Sequence, residues 1–495
     1  MKRLIATILV TFISACATYP LPDTEIDRAK AYNKRGSVYH IRGQYYRAIS
    51  DYTKAIEINT EFAEAYNNRG AAHESKGHYE KAMSDYTKAI EIDPGFAIAY
   101  MNRGNAYVRK DELDQAISDY SKAIEMNPKF ADAYKSRGSV LVKKGQHDQA
   151  ISDYSKAIEM NPKFADAYNS RGKAYYIKGQ YDQAISDYSK AIEMNPGFVE
   201  AYFNRGLAYA QVDEYEKAIY DFTEVIRINP RYPEAFNNRG KAYYSQGQYD
   251  QAISDYSKAI EINPKFAIAY NNRGKAYFIR RKHDKALSDY TKAIEIFPRF
   301  AIAYNNRGSV YLKKGQHDRA ISDYTKAIEI DPRFAEAFFN RGKAYYKVGQ
   351  HGLAISDYTK AIEIDPRFAE AFFNRGKALY KAGQYYKAIS DYTKAIEIDP
   401  RFAEAFLNRG KAFYKAGQHG LAISDYTKAI EINLGLAEAY FNRGKAYEKE
   451  GQHGLAISDY TKAIEVDPKF TEAYFNRGSA YGSKGHYDKA ILDYT

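Results

Sequence analysis

Apolar and polar positions alternate down this chain with a fixed beat. In AEAFFNRGKAYYKVGQ (335–350), Phe338, Gly342 and Tyr345 fall at i, i+4 and i+7, one face of a helix, with Lys and Glu on the other. A second stripe, Ala354, Ile355, Tyr358, Ala361 and Ile362, predicts the next helix. Gly349 between them, and Gly383 one unit on, predict left-handed caps. Asp365-Pro366 ends the second helix and predicts Asp as N-cap and Pro as first residue of the one that follows. Small Gly342 and Ala354 let the helices approach while aromatic rings fill the remaining space. The stretch AISDYTKAIEIDPRFAEAFFNRGKA (354–378) recurs in near-copies from Ala29 onward. Its Arg-Gly element places glycines 34 residues apart at every step from Gly36 through Gly342 and Gly376 to Gly478.

A fixed period of this size means stacked supersecondary units, each able to bury its apolar face only against its neighbours. It overrides the several domains that length alone suggests. Counting Ala29 as position 1, position 4 is always aromatic (Tyr32, Phe338, Phe372) and position 8 always Gly. Position 20 is always Ala (Ala48, Ala354), position 24 Tyr or Phe, and position 32 usually Pro. This pattern resembles the tetratricopeptide repeat (TPR) over residues 29–495, thirteen full units and a shortened fourteenth beginning at Thr471. The resemblance implies an all-α, right-handed superhelical α-solenoid of antiparallel helix pairs. Position 7 departs from the family pattern: it is Arg in every unit (Arg35, Arg375), where a large apolar residue is usual. Asp at position 23 accompanies it, as Asp391 does Arg375, which predicts a repeated ion pair with a structural role.

The N-terminus differs in kind. Met1-Lys2-Arg3 and apolar Leu4–Ser14 read as a secretory signal over residues 1–15, too short to span a bilayer. Ile13-Ser14-Ala15-Cys16 resembles the lipobox of bacterial lipoproteins, which implies acylation of Cys16, the single cysteine of the chain. Residues 16–28, with Pro20 and Pro22, then read as the lipidated Cys and an extended tether. Ala17 after the Cys implies the outer membrane, facing the periplasm, for a Gram-negative source. No later stretch has the about 20 continuous apolar residues a spanning helix needs. The last unit stops inside its second helix with no polar capping helix, which reads as truncation or as an end covered by a partner.

Net charge is +11, but Lys and Arg are interspersed rather than clustered, which argues against nucleic acid. In TPR arrays, positions 2, 5, 6, 9, 12 and 13 line the concave face. The resemblance thus directs attention to position 6, Asn at Asn204, Asn238, Asn272, Asn306, Asn340, Asn374, Asn408, Asn442 and Asn476 as well as Asn68 and Asn102. An amide donates and accepts, so such a row can hold an extended peptide by its backbone; it is similar to the asparagine ladder of O-linked N-acetylglucosamine transferases. The other reading is a polar position copied by duplication. Later units add Lys at position 9 (Lys343, Lys377, Lys411, Lys445). They also carry Phe at position 5 (Phe339, Phe373, Phe441) and Tyr at position 12 (Tyr346, Tyr380, Tyr414). These form either a basic groove with aromatic contacts or packing between helices. The carboxylate clamp of some TPR domains needs Lys at position 5 and Asn at position 9, the reverse of what stands here.

No catalytic constellation, metal-ligand cluster or cofactor motif emerges. Six of the ten histidines occupy position 17, at least one repeat apart and too far apart to share an ion. Two units are irregular: 199–232, with Asp213, Tyr220 and Ile226-Arg227-Ile228, and 403–436, where Leu434-Gly435-Leu436 predicts a looser joint. The sequence thus points to a non-catalytic, lipid-anchored envelope adaptor binding extended protein segments. The alternative is a scaffold lipoprotein for polysaccharide export that holds an anionic glycan or export proteins.

Overall fold

The computed structural model describes residues 24–495. The predicted signal and Cys16 lie outside them. Among the described residues there are 28 helices and no strand. The chain divides into two compact units, one through Gln248 and one from Tyr249. In each, a first (A) helix and a second (B) helix alternate. In the second unit the pairs include Ala335–Lys347 with His351–Ile364, and Ala369–Lys381 with Tyr385–Ile398. Ala403–Lys415 with His419–Ile432, and Ala437–Lys449 with His453–Val466, follow.

Each pair closes on a small core. Ala337, Ala344, Ala354 and Ala361 are fully buried, and Tyr358 is 1% exposed. Glycine at position 8 is required by that tyrosine: a Cβ on Gly342 would lie 2.8 Å from Tyr358 Cε1. The turn between the helices is the expected left-handed one, with Gly349 at φ 79°. The Gly349 N–H donates to the Tyr346 carbonyl at 3.1 Å and the Gln350 N–H to the Tyr345 carbonyl at 2.9 Å. Asp111, Asp213 and Arg281 hold the same positive φ without the freedom of glycine.

Three expectations change. Asp365 does not cap the following helix: it follows the B helix, and its Oδ1 accepts from the Arg367 N–H at 3.0 Å. That two-residue loop places Pro366 in the turn, and the next helix begins at Ala369, after Phe368, which makes no side-chain cap. Glu25–Arg28 are not extended tether but the first turn of the helix Glu25–Ile41, because the Thr24 hydroxyl accepts from the Asp27 N–H. The joint at Leu434-Gly435-Leu436 keeps the geometry of the others, since Asn433 Oδ1 accepts from the Gly435 N–H at 3.0 Å.

The Arg–Asp pairs form in repeat after repeat. Arg375 Nε and Nη2 donate to Asp391 at 2.7 and 2.8 Å. Its Nη1 donates to Thr359 of the preceding repeat at 3.0 Å. One guanidinium thus ties its own B helix to the preceding one, and its plane lies 5.6 Å over the Phe372 ring. Burial pushes the carboxyls of Asp289 and Asp425 up, against the hydrogen bonds and charge of Arg273 and Arg409, which pull them down. Desolvation therefore takes back much of what the pairing gives, and the pairs fix register more than they add stability.

Candidate ligand face on the A helices

Positions 5, 6, 9, 12 and 13 fall on the A helices. The position-6 asparagines have two states, set by position 5 of the preceding repeat. Where that residue is Asn, the amide reaches across the joint: Asn204 donates to Asn169 at 3.0 Å, Asn306 to Asn271 at 2.9 Å and Asn340 to Asn305 at 3.0 Å. Asn68 and Asn102 do the same toward Asn33 and Asn67. Where that residue is Phe or Leu, the amide turns back onto its own helix. Asn238, Asn374, Asn408, Asn442 and Asn476 donate to the carbonyls of Glu234, Glu370, Glu404, Glu438 and Glu472 at 2.7–2.8 Å. Asn272 is engaged as well. The ladder is therefore partly self-satisfied, and Asn340 is buried. Half-buried Asn374, Asn408, Asn442 and Asn476 each retain one N–H and Oδ1.

The position-5 rings pack into the joints. Phe339 lies 4.7 Å from Phe368 and 5.8 Å from Tyr358, centroid to centroid. Phe373 repeats this with Phe402 and Tyr392, and Phe441 with Phe470 and Tyr460. Position-12 tyrosines lean on position 17 of the same pair: Tyr346 on His351 at 5.0 Å, Tyr380 on Tyr385 at 5.3 Å and Tyr414 on His419 at 4.9 Å. The rings are thus partly covered by protein.

The lysines lie over them. Lys343 Nζ sits 5.2 Å from the Phe339 centroid. Lys377 lies between Phe373 and Tyr346, at 5.5 and 5.7 Å, and Lys445 between Phe441 and Tyr414, at 5.5 and 5.6 Å. Lys411 breaks the series: Leu407 replaces the ring, and the ammonium pairs instead with Glu438 at 2.6 Å. Burial holds Lys343 and Lys377 below the usual lysine range. The charges of Lys347, Lys411 and Lys381 push Lys377 further in the same direction.

Those neighbours reveal residues that sequence reasoning missed. Lys347, Lys381, Lys415 and Lys449, at position 13, are exposed and stand one helical turn beyond the position-9 lysines. The i, i+4 spacing carried the signal. Among the described residues no group of three or more His, Cys, Asp or Glu side chains is placed to hold a metal ion. No helix among them is long and apolar enough to cross a membrane.

The chain belongs to the tetratricopeptide repeat family. TPR repeat profiles match residues 36–77, 138–177, 172–213, 213–247, 240–279, 308–349, 376–417 and 411–451. Tetratricopeptide repeat profiles match 63–96, 97–130, 267–300, 335–368 and 437–470, and a further one 120–152, 289–322, 357–390 and 459–491. It is a TPR scaffold, an architecture suited to protein–protein interaction. Among solved structures it is similar to YrrB, described as a TPR protein with an unusual peptide-binding site. That likeness is 33% identity over 37% of this chain and 95% of the other, with a TM-score of 0.33. It is also similar to the MamA protein (31% identity, 35% and 94% covered, TM-score 0.33). The APC/C hetero-tetramer Cut9-Hcn1 shares 15% identity over 95% of this chain and 98% of the other, with a TM-score of 0.43. No curated protein matches the chain.

Proposed function

We propose that the protein is a non-catalytic scaffold that grips extended protein segments along its A helices and, through lipid on Cys16, gathers them at a membrane of the cell envelope. The observation that carries the peptide reading is the row Asn374, Asn408, Asn442 and Asn476. Each has one N–H fixed by its own backbone and presents a second N–H and Oδ1 at one-repeat intervals. Fixing the amide holds its orientation, so a peptide group meets a preorganised donor and acceptor whatever side chain it carries. Near-identical repeats multiply one weak contact along the segment. The lipobox-like Ile13-Ser14-Ala15-Cys16 supports the anchor, and two or more acyl chains hold far more firmly than one. The rows of lysine also suit an anionic glycan, which supports the export scaffold as a second reading.

In-cell photo-crosslinking tests the first part. Lys381 is the position for the crosslinker, because Phe373 is packed into a joint; exposed Tyr386 on the B helix is the control. A discrete protein adduct from position 381 and not from 386 is expected. Glycan-sized smears from 381, with the chain folded, would overturn the peptide reading in favour of export. Labelling with a palmitate analogue tests the anchor: incorporation lost in Cys16→Ser is expected, and equal labelling of both would remove it.

A further inference from the structure

Resting on that reading, we infer that the A-helix face from Ala335 to Lys449 takes an acidic, Asp- and Glu-rich extended segment of a protein partner. Eight lysines stand there in four consecutive repeats, two per A helix at i and i+4: Lys343 with Lys347, and the equivalent pairs through Lys445 with Lys449. Of these eight only Lys411 has a carboxylate partner, Glu438. The lysines at position 26 of the B helices behave differently, since Lys360, Lys394, Lys428 and Lys462 each pair with a glutamate three residues on, at 2.6–2.7 Å. The position-9 and position-13 lysines without a carboxylate thus share one face of these repeats. The carboxylates that face it are the position-2 residues Glu336, Glu370, Glu404 and Glu438 and, at position 12, Glu448. They are fewer than the lysines, and Glu438 is already engaged. A row of like charges this close repels itself, and an anionic ligand relieves that repulsion.

The same face selects between polyanions. A sugar ring stacks on an open aromatic face, but Phe339, Phe373 and Phe441 have theirs occupied by Phe368, Phe402 and Phe470 and by the lysine above. The free amide edges beside them match peptide groups at repeat spacing. Earlier repeats lack the paired feature: no earlier A helix carries Lys at both positions, since Lys173 is followed by Ile177, Lys241 by Ser245 and Lys275 by Ile279, while Lys143 and Lys313 follow Ser139 and Ser309. The acidic segment therefore lies on the second unit and not along the first.

The test uses the full chain and fluorescence anisotropy. The probe is a labelled Glu/Asp peptide of about 16 residues, roughly 50 Å when extended. Its Gln/Asn counterpart and a polyglucuronate of similar length are compared. The acidic peptide is expected to bind at least about tenfold more tightly than the amide peptide and to weaken with salt. Replacing Lys347, Lys381, Lys415 and Lys449 together by Gln is expected to cost about tenfold. Replacing Lys326, Lys360, Lys394 and Lys428 of the B helices by Gln leaves binding unchanged. Equal binding of both peptides would overturn the acidic class while leaving the scaffold reading in place. Binding of polyglucuronate but of neither peptide would overturn both. An equal loss in the B-helix variant would reduce the effect to general charge and overturn the inference.

Discussion

Asn340 donates its amide to Asn305 of the preceding repeat at 3.0 Å, whereas Asn374, one repeat on, donates to the carbonyl of Glu370 in its own helix at 2.7 Å. The sequence around the two is nearly the same; what differs is that Phe339 stands where Asn305 would. Phe373→Asn should therefore pull Asn408 off the Glu404 carbonyl and onto the new amide, and remove the ring beneath Lys377. A crystal structure of the variant checks this. An Asn408 still bonded to Glu404 would show that the switch lies elsewhere.

The Arg375–Asp391 pair predicts an asymmetry. The Arg375 side chain is 19% exposed and that of Asp391 7%. Asp391→Asn leaves a largely buried guanidinium short of its partner, at a cost of about 3–5 kcal/mol. Arg375→Met with Asp391→Leu removes both charges and should return the protein to within about 1 kcal/mol of the parent. Thr359 is not orphaned, because its hydroxyl also donates to the Ile355 carbonyl. Hydrogen exchange of the Ala369–Ile398 amides measures both variants; equal losses would mean that the pair contributes net stability.

Gly376→Ala places a Cβ 2.8 Å from Tyr392 Cε1, a ring that is 1% exposed and has no room to retreat. The expected cost is about 1–3 kcal/mol. Tyr392→Leu in the same chain should restore part of it by shortening the side chain that collides. Thermal unfolding reads both, and a melting temperature unchanged by Gly376→Ala would contradict the packing account.

Lys343 and Lys377 lie below the usual lysine range, chiefly through burial, while Lys326 and Lys462 are raised by their hydrogen bonds to Glu329 and Glu465. A lowered pKa supplies the neutral amine at lower pH. As pH rises toward the ordinary lysine value of about 10.4, Lys343 and Lys377 should gain reactivity toward an amine acylating reagent before Lys326 and Lys462 do. For half-buried Lys377 the same sign means that its charge weighs against folding until it deprotonates, so this contribution to stability rises as pH climbs toward the ordinary lysine value. Competitive labelling with mass spectrometry gives the order; the reverse order would place the lysines in open solvent.

The repeat, its two helices and the Arg–Asp pairing were legible because each follows from spacing within one unit of 34 residues. The state of the ladder was not, because the partner of Asn340 is Asn305, 35 residues away across a joint. Only position 5 of the preceding copy, compared unit by unit, carries that information. Position 5 left Phe339 and Phe373 open between groove contact and packing between helices; their rings lie in the joints, since Phe368 and Phe402 lie directly against them. Asp365 misled for a simpler reason: a residue suited to capping sat three positions too early, and its own turn used the side chain.

Hydrogen exchange on the full chain, with and without the partner segment recovered by crosslinking, tests the central claim most directly. Binding should slow exchange in the A helices Ala335–Lys347, Ala369–Lys381, Ala403–Lys415 and Ala437–Lys449 and leave the B helices between them unchanged. Protection confined to the B helices, or to repeats before Gln248, would contradict it.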